Sequence, residues 1–108
     1  MTAEYFDLLG TEGLRILGDL FKSMGEPSRL KILDHLSYGE HCVNELAELT
    51  ELSQSLVSHH LRLLRNIGVV KAHRQGRQVY YSLDDDHILN IFLQGKDHIK
   101  HMHLNEDE

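Results

Sequence analysis

Apolar residues recur at helical intervals along most of the chain, and the breaks in that rhythm divide it into elements. From Ala3 to Met24 the residues Tyr5, Phe6, Leu9, Leu14, Leu17, Leu20 and Phe21 follow a helical spacing, with Gly10 and Gly13 as a soft point. Gly25-Glu26-Pro27 ends this first helix. Pro27 and Ser28 open a second one carrying Leu30, Ile32, Leu33 and Leu36, which stops at Ser37-Tyr38-Gly39. A short third helix is expected from about Val43 to Leu49. After the tight connection Thr50-Glu51-Leu52, Ser53 is placed to cap a fourth helix that continues to Asn66, with Gly68 as its stop signal. Two helices joined by such a turn make a helix-turn-helix. The pattern then becomes extended. Val69, Val70 and Lys71 lead to a charged tip, Arg74-Gln75-Gly76-Arg77, and Val79, Tyr80 and Tyr81 return from it, as in a two-stranded wing. Asp84 to Asp86 open a last helix with Ile88, Leu89, Ile91, Phe92, Ile99 and Met102, acidic where the helix dipole is positive. The polar tail from Asn105 is expected to fray. The expected fold is mainly α with a small β-hairpin, a winged helix-turn-helix forming one domain over residues 1–108. Terminal helices at about 3–24 and 85–103 flank it.

Composition agrees with one ordinary core. The chain has 108 residues, 41% of them hydrophobic and 26% charged, which is near the globular average. No apolar run approaches the roughly 20 residues of a bilayer crossing. Met1 to Gly10 carries two acids and no Lys or Arg, unlike a secretory signal, so a cytosolic location without membrane contact is expected. Cys42 is the single cysteine, which leaves no intrachain disulfide and suits a reducing compartment.

Charge changes the picture more. The net charge of −6 argues against nucleic acid only until its distribution is read. Residues 1–52 hold ten acids and four bases, residues 53–82 no acid and five bases, and residues 83–108 seven acids and two bases. Arg62, Arg65, Lys71, Arg74 and Arg77 therefore form a basic island suited to phosphates. In the fourth helix Val57, Leu61 and Leu64 share an inner stripe. The opposite face offers Gln54, Ser55, Ser58, His59 and Arg62 near the end that enters a major groove. Gln54 suits adenine, and Arg62 suits guanine or a phosphate. Arg74 and Arg77 at the hairpin tip are placed to grip the adjacent backbone or minor groove. A solvated helix face with secondary serine caps is the plainer alternative for that helix, and the basic wing beside it argues for DNA.

Three stretches carry a family resemblance: Glu40-His41-Cys42-Val43-Asn44-Glu45-Leu46-Ala47, Leu52-Ser53-Gln54-Ser55-Leu56-Val57-Ser58-His59-His60-Leu61 and Arg74-Gln75-Gly76-Arg77-Gln78-Val79-Tyr80-Tyr81. Together they resemble the ArsR/SmtB family of bacterial metal sensors, over about Phe21 to His101. The resemblance implies a homodimeric winged-helix repressor of metal efflux or sequestration genes, which holds operator DNA without metal and releases it when metal binds.

Four of the nine histidines fall in the last helix: His87, His98, His101 and His103. His98 and His101 are three apart and share a helical face. His87 lies three turns before His98, on the same face but about 16 Å away along the axis. Zinc–nitrogen bonds are about 2 Å, so a site using both ends needs a second, antiparallel copy of the helix, which a two-fold dimer supplies twice. Asp85 and His87 of one helix then meet His98 and His101 of the other. One carboxylate and three imidazoles suit tetrahedral Zn(II) or Co(II). The resemblance implies the same set, Asp85, His87, His98 and His101, as the C-terminal-helix site of the family's zinc-sensing branch. Asp84 and Asp86 are alternatives to Asp85, as caps or ligands. His103 reads as an exposed tail residue, and its ligation would open the site toward six-coordinate Ni(II). The alternative is a histidine-rich helix end that binds metals adventitiously.

Cys42 stands where the family's other site uses cysteine. With no second cysteine and no histidine in residues 1–30, a soft-metal site for arsenite, cadmium or lead lacks its usual parts. Cys42 reads as a relic or a small buried residue. Response to a redox or small-molecule signal through Cys42 is the alternative function, although an intrachain resolving partner is missing. An enzyme is not expected, since four ligands close the metal shell and no phosphate loop or nucleophile motif accompanies them. A metal-storage role leaves the basic island and the Gln54–His60 run without a purpose.

Overall fold

Each element begins and ends where the chain supplies a partner for its free backbone groups. The computed structural model describes residues 8–104. Their order is α1 (Thr11–Met24), α2 (Pro27–Leu36), β1 (His41–Cys42), α3 (Val43–Thr50), α4 (Gln54–Asn66), β2 (Val70–Gln75), β3 (Gln78–Leu83) and α5 (Asp86–Ile99). A π-helical turn, Lys100–Leu104, follows α5. The fold is the expected winged helix-turn-helix.

Local chemistry explains most boundaries. The Glu26 carboxylate accepts the Arg29 N–H at 3.0 Å and Pro27 takes the first helical position of α2, where its missing N–H costs nothing. The Ser53 hydroxyl accepts the Leu56 N–H at 3.0 Å and so caps α4 as expected. Between α3 and α4, Glu51 adopts a left-handed backbone (φ 61°). The Thr50 hydroxyl steadies that turn by donating to the Leu46 carbonyl at 2.6 Å and accepting the Leu52 N–H at 3.3 Å. At the wing tip Gln75 pairs with Gln78 across Gly76-Arg77, and the φ of +62° at Gly76 is the positive angle that the first residue of a type II′ hairpin turn requires.

Three expectations are corrected. The first helix does not run from Ala3, since Leu8, Leu9 and Gly10 are not helical and Gly10 stands extended before the first turn at Thr11. Gly10 weakens a helix interior by about 1 kcal/mol relative to alanine, which favours a start after it. Ala3, Tyr5 and Phe6, and the tail from Asn105, lie outside the described residues. The two-stranded wing forms from β2 and β3 as expected, but its sheet has a third strand: β1 adds to β3, with His41 opposite Tyr81 and Cys42 opposite Tyr80, giving an antiparallel sheet of order β1-β3-β2. A strand of two residues has too few positions to show an alternation. The last helix keeps α geometry only to Ile99, so a change of helical pitch falls between His98 and His101.

The core lies beneath α4. Val57, Leu61 and Leu64 are fully buried against Ile32 and Leu33 of α2, Leu46 of α3 and Val69 and Val70 at the start of the wing. The terminal helices are less covered. α1 buries only Met24, leaving Leu14, Ile16 and Phe21 more than half exposed or close to it. α5 buries only Ile88, with Phe92 packed partly on the core and Ile91, Leu93 and Ile99 open. No described helix is long and apolar enough to cross a membrane.

Candidate nucleic-acid interface and metal-ligand helix

The inner stripe of α4 being occupied by the core, its other face is free. Gln54, Ser55, Ser58, His59 and Arg62 are all exposed there, and Ser53, Ser55, Ser58, His59 and Arg62 line one shallow groove. Arg62 Nη2 lies 3.2 Å from His59 Nδ1, a contact in which the guanidinium is the donor. β2 packs beside α4 and carries Arg74 to the wing tip, with Arg77 in the turn itself, both exposed. Among the described residues none of Arg62, Arg65, Lys71, Arg74 and Arg77 is paired with a carboxylate, whereas Arg15 and Lys96, in the acidic segments, both are. The basic island is therefore available to phosphates.

If these groups touch DNA, Arg62→Ala is expected to cost about 1–3 kcal/mol of operator affinity and to relax preference at one base position. Arg77→Ala is expected to weaken binding to any duplex and to lower the slope of log affinity against log salt by about one. Anisotropy titrations on operator and scrambled duplexes at several salt concentrations separate the two.

Histidine 60 sits directly behind this face and was not singled out by motif reading, although its spacing from Val57 and Leu64 puts it on the inner stripe. Its side chain is only 8% exposed, and neither ring nitrogen has a hydrogen-bond partner among the described residues; Nε2 lies 3.7 Å from Glu26 Oε2. Burial pushes the imidazole's pKa down, Glu26 opposes this, and Arg29 and His59 reinforce it. Folded His60 therefore refuses a proton that the unfolded chain accepts once the pH drops below about 6.5. The consequence is a loss of stability as pH falls from that value. His60→Gln is expected to flatten that part of the curve, read as the urea midpoint against pH for variant and parent.

At the other end of the molecule Asp85 caps α5. Its Oδ1 accepts the Ile88 N–H at 3.1 Å and its Oδ2 lies 3.4 Å from His87 Nδ1. The Ile88 N–H first, and His87 next, hold its carboxyl below the usual carboxylate range. Of the three consecutive aspartates it is thus Asp85 that stands beside His87; the Asp84 backbone N–H donates to the Val69 carbonyl, and Asp86 begins the helix. His87 is 91% exposed. His98 and His101 are exposed near the far end, and the His103 side chain lies outside the described residues. Among the described residues no three metal-ligating side chains converge within one chain. The structure brings Asp85 to His87 and keeps this pair apart from His98 and His101, as the three-turn spacing requires. Cys42 is buried ahead of α3, where its N–H donates to Glu45 Oε1 at 3.0 Å.

Residues 26–72 match the model of the arsR family of bacterial regulatory proteins. Over 94 residues the chain is 37% identical to a transcriptional repressor SmtB homolog of Synechocystis, covering 87% of this chain and 71% of that protein. The chain belongs to the ArsR/SmtB family. It is a winged-helix transcriptional regulator, not an enzyme, from a family of metal-responsive repressors. This ArsR/SmtB regulator is also 47% identical, over 73 residues, to a cadmium resistance transcriptional regulatory protein CadC homolog of Staphylococcus aureus, covering 67% of this chain and 60% of that one. Among solved structures it is similar to the homodimeric winged helix-turn-helix DNA-binding domain of a possible ArsR-family regulator from Mycobacterium bovis. The TM-score is 0.74 and the identity 29%, with 83% of this chain and 87% of that one covered.

Proposed function

We propose that the protein acts in the cytosol as a homodimeric repressor of metal-homeostasis genes, holding operator DNA in its metal-free form and releasing it when Zn(II) binds between the α5 helices. Dimerisation runs through α1 and α5, whose apolar faces a single chain leaves uncovered, and the whole chain works as one winged-helix domain. The supporting observation is the layout of α5: Asp85 held against His87 at one end, His98 and His101 exposed near the other, and no route for them to meet within one chain.

The donor set fits the ion. Three imidazoles and one carboxylate suit tetrahedral zinc, and Co(II) takes the same geometry. Asp85 and His87 of one protomer with His98 and His101 of its partner would hold the ion, which would then join the two α5 helices. The side chains prepare for this in different ways. Asp85 is kept ionised by the Ile88 N–H, and its contact with Nδ1 leaves His87 Nε2 free to face the partner. His98 and His101 must be neutral to ligate, so the response is expected to fade below about pH 6. The likeness to a cadmium resistance regulator favours a softer ion, but Cys42 is the one thiol and is buried. The imidazole-rich helix points instead to zinc.

Fluorescence anisotropy on the gene's own upstream DNA, at fixed salt, with no metal and with buffered Zn(II), Co(II) and Ni(II), tests the proposal. Tight metal-free binding weakened by zinc by about 1–3 kcal/mol of coupling supports it. Binding indifferent to all three ions overturns it, and a response to nickel alone replaces zinc with a six-coordinate site that includes His103.

A further inference from the structure

Beyond its own cap at Asp85, α5 makes side-chain hydrogen bonds to the rest of the chain at one point among the described residues. Lys96 Nζ lies 2.7 Å from Asp34 Oδ1, 3.1 Å from the Tyr38 hydroxyl and 4.9 Å from the centroid of the Tyr38 ring. The lysine side chain is largely covered, at 22% exposure, although Asp34 is 48% exposed. Asp34 lies in the last turn of α2, and Tyr38 in the turn that leads through Glu40 into β1 and α3. The ammonium thus grips the segment from which the helix-turn-helix departs. Two residues along, His98 lines the same groove between α2 and α5, together with Met24, Leu30 and Phe92. Apart from this grip, α5 is held by apolar contact near its start, through Ile88 and Phe92.

Apolar contact has no direction, so a helix held by it alone can roll on its support. A charge-assisted hydrogen bond, a hydroxyl and a ring face around one ammonium fix both angle and register. We propose that Lys96 is the positioning residue through which the His98 end of α5 is coupled to the helix-turn-helix. Reorientation of α5 between protomers then moves Asp34, Tyr38 and the α2–α3 turn with it, and without Lys96 the helix rolls and the turn stays. This rests on the metal-release reading above and names the route that reading lacks. A half-exposed ion pair contributes little to stability, which allows coupling to be lost while the fold is kept.

The test uses the full chain with Lys96→Met, Asp34→Asn and Lys96→Arg beside the parent. Operator affinity is measured without metal and with buffered zinc, zinc affinity by chelator competition, and folding by thermal unfolding. For the methionine and asparagine variants, metal-free DNA affinity and zinc affinity are expected to stay within about threefold of the parent. The ratio of metal-free to zinc-loaded DNA affinity, about 5–150-fold for a working allosteric protein, is expected to fall below about threefold. Lys96→Arg, which keeps charge and donors, is expected to retain most of the ratio. A parent that responds to zinc while both variants respond equally overturns this inference alone. Loss of the ratio together with zinc affinity or with folding also overturns it, because Lys96 then supports the site or the fold. A parent indifferent to zinc overturns the metal-release reading itself and this inference with it.

Discussion

Replacing His98 by alanine is expected to leave metal-free operator affinity within about twofold of the parent and to abolish zinc-driven release, a loss of about 1–3 kcal/mol of coupling. The separation follows from position. His98 is exposed near the end of α5, whereas the exposed face of α4 and the wing tip belong to other elements and share no side-chain hydrogen bond with it among the described residues. In the proposed site, removing one of three imidazoles would leave three ligands, too few to close a tetrahedral shell, so zinc affinity should fall in parallel. Paired titrations of zinc and of DNA check both parts. A variant that loses DNA binding and metal response together would falsify the division between a reading helix and a sensing helix.

Leu61→Ala is expected to be the most destabilising of the substitutions considered. Leu61 is fully buried at the centre of the core, on the inner stripe of α4. Truncation removes its transfer free energy and leaves a cavity, at a cost of about 2–5 kcal/mol, against a total stability of about 5–15 kcal/mol for a domain of this kind. Urea unfolding at fixed protein concentration measures the cost, the concentration being held because the stability of the proposed dimer depends on it. The same change should weaken DNA binding through a rise in the unfolded population. Ser58→Ala, on the exposed face of the same helix, should leave the urea midpoint within about 0.5 kcal/mol of the parent.

How much of the site could be read in advance depended on how local each feature is. The α4 face was legible because one helix with a 3.6-residue period separates Leu61 from Arg62 without reference to anything else. The separation of His87 from His98 was legible for the same reason, since eleven residues of helix set the distance between them wherever the helix packs. The choice among Asp84, Asp85 and Asp86 was not. All three suit a helix start, and it is Asp85 whose carboxylate caps the helix beside His87. His60 occupies an inner position that its spacing shows, but the absence of a hydrogen-bond partner for its ring among the described residues depends on the packing around it.

What the chain by itself determined is the succession of caps, stops and turns: Pro27 opening α2, Ser53 opening α4, Gly68 ending it and Gly76 turning the wing. Each acts through backbone groups within a few residues, and those interactions are nearly independent of context. Tertiary structure decided what depends on partners far along the chain. The strand His41–Cys42 exists because β3 offers it an edge, the imidazole of His60 is buried beside Glu26 with no hydrogen-bond partner among the described residues, and Lys96 reaches Asp34 and Tyr38 across some 60 residues of sequence. Such contacts form only once the core has closed, because loop closure must precede them, and no periodicity in the sequence records which residues will meet.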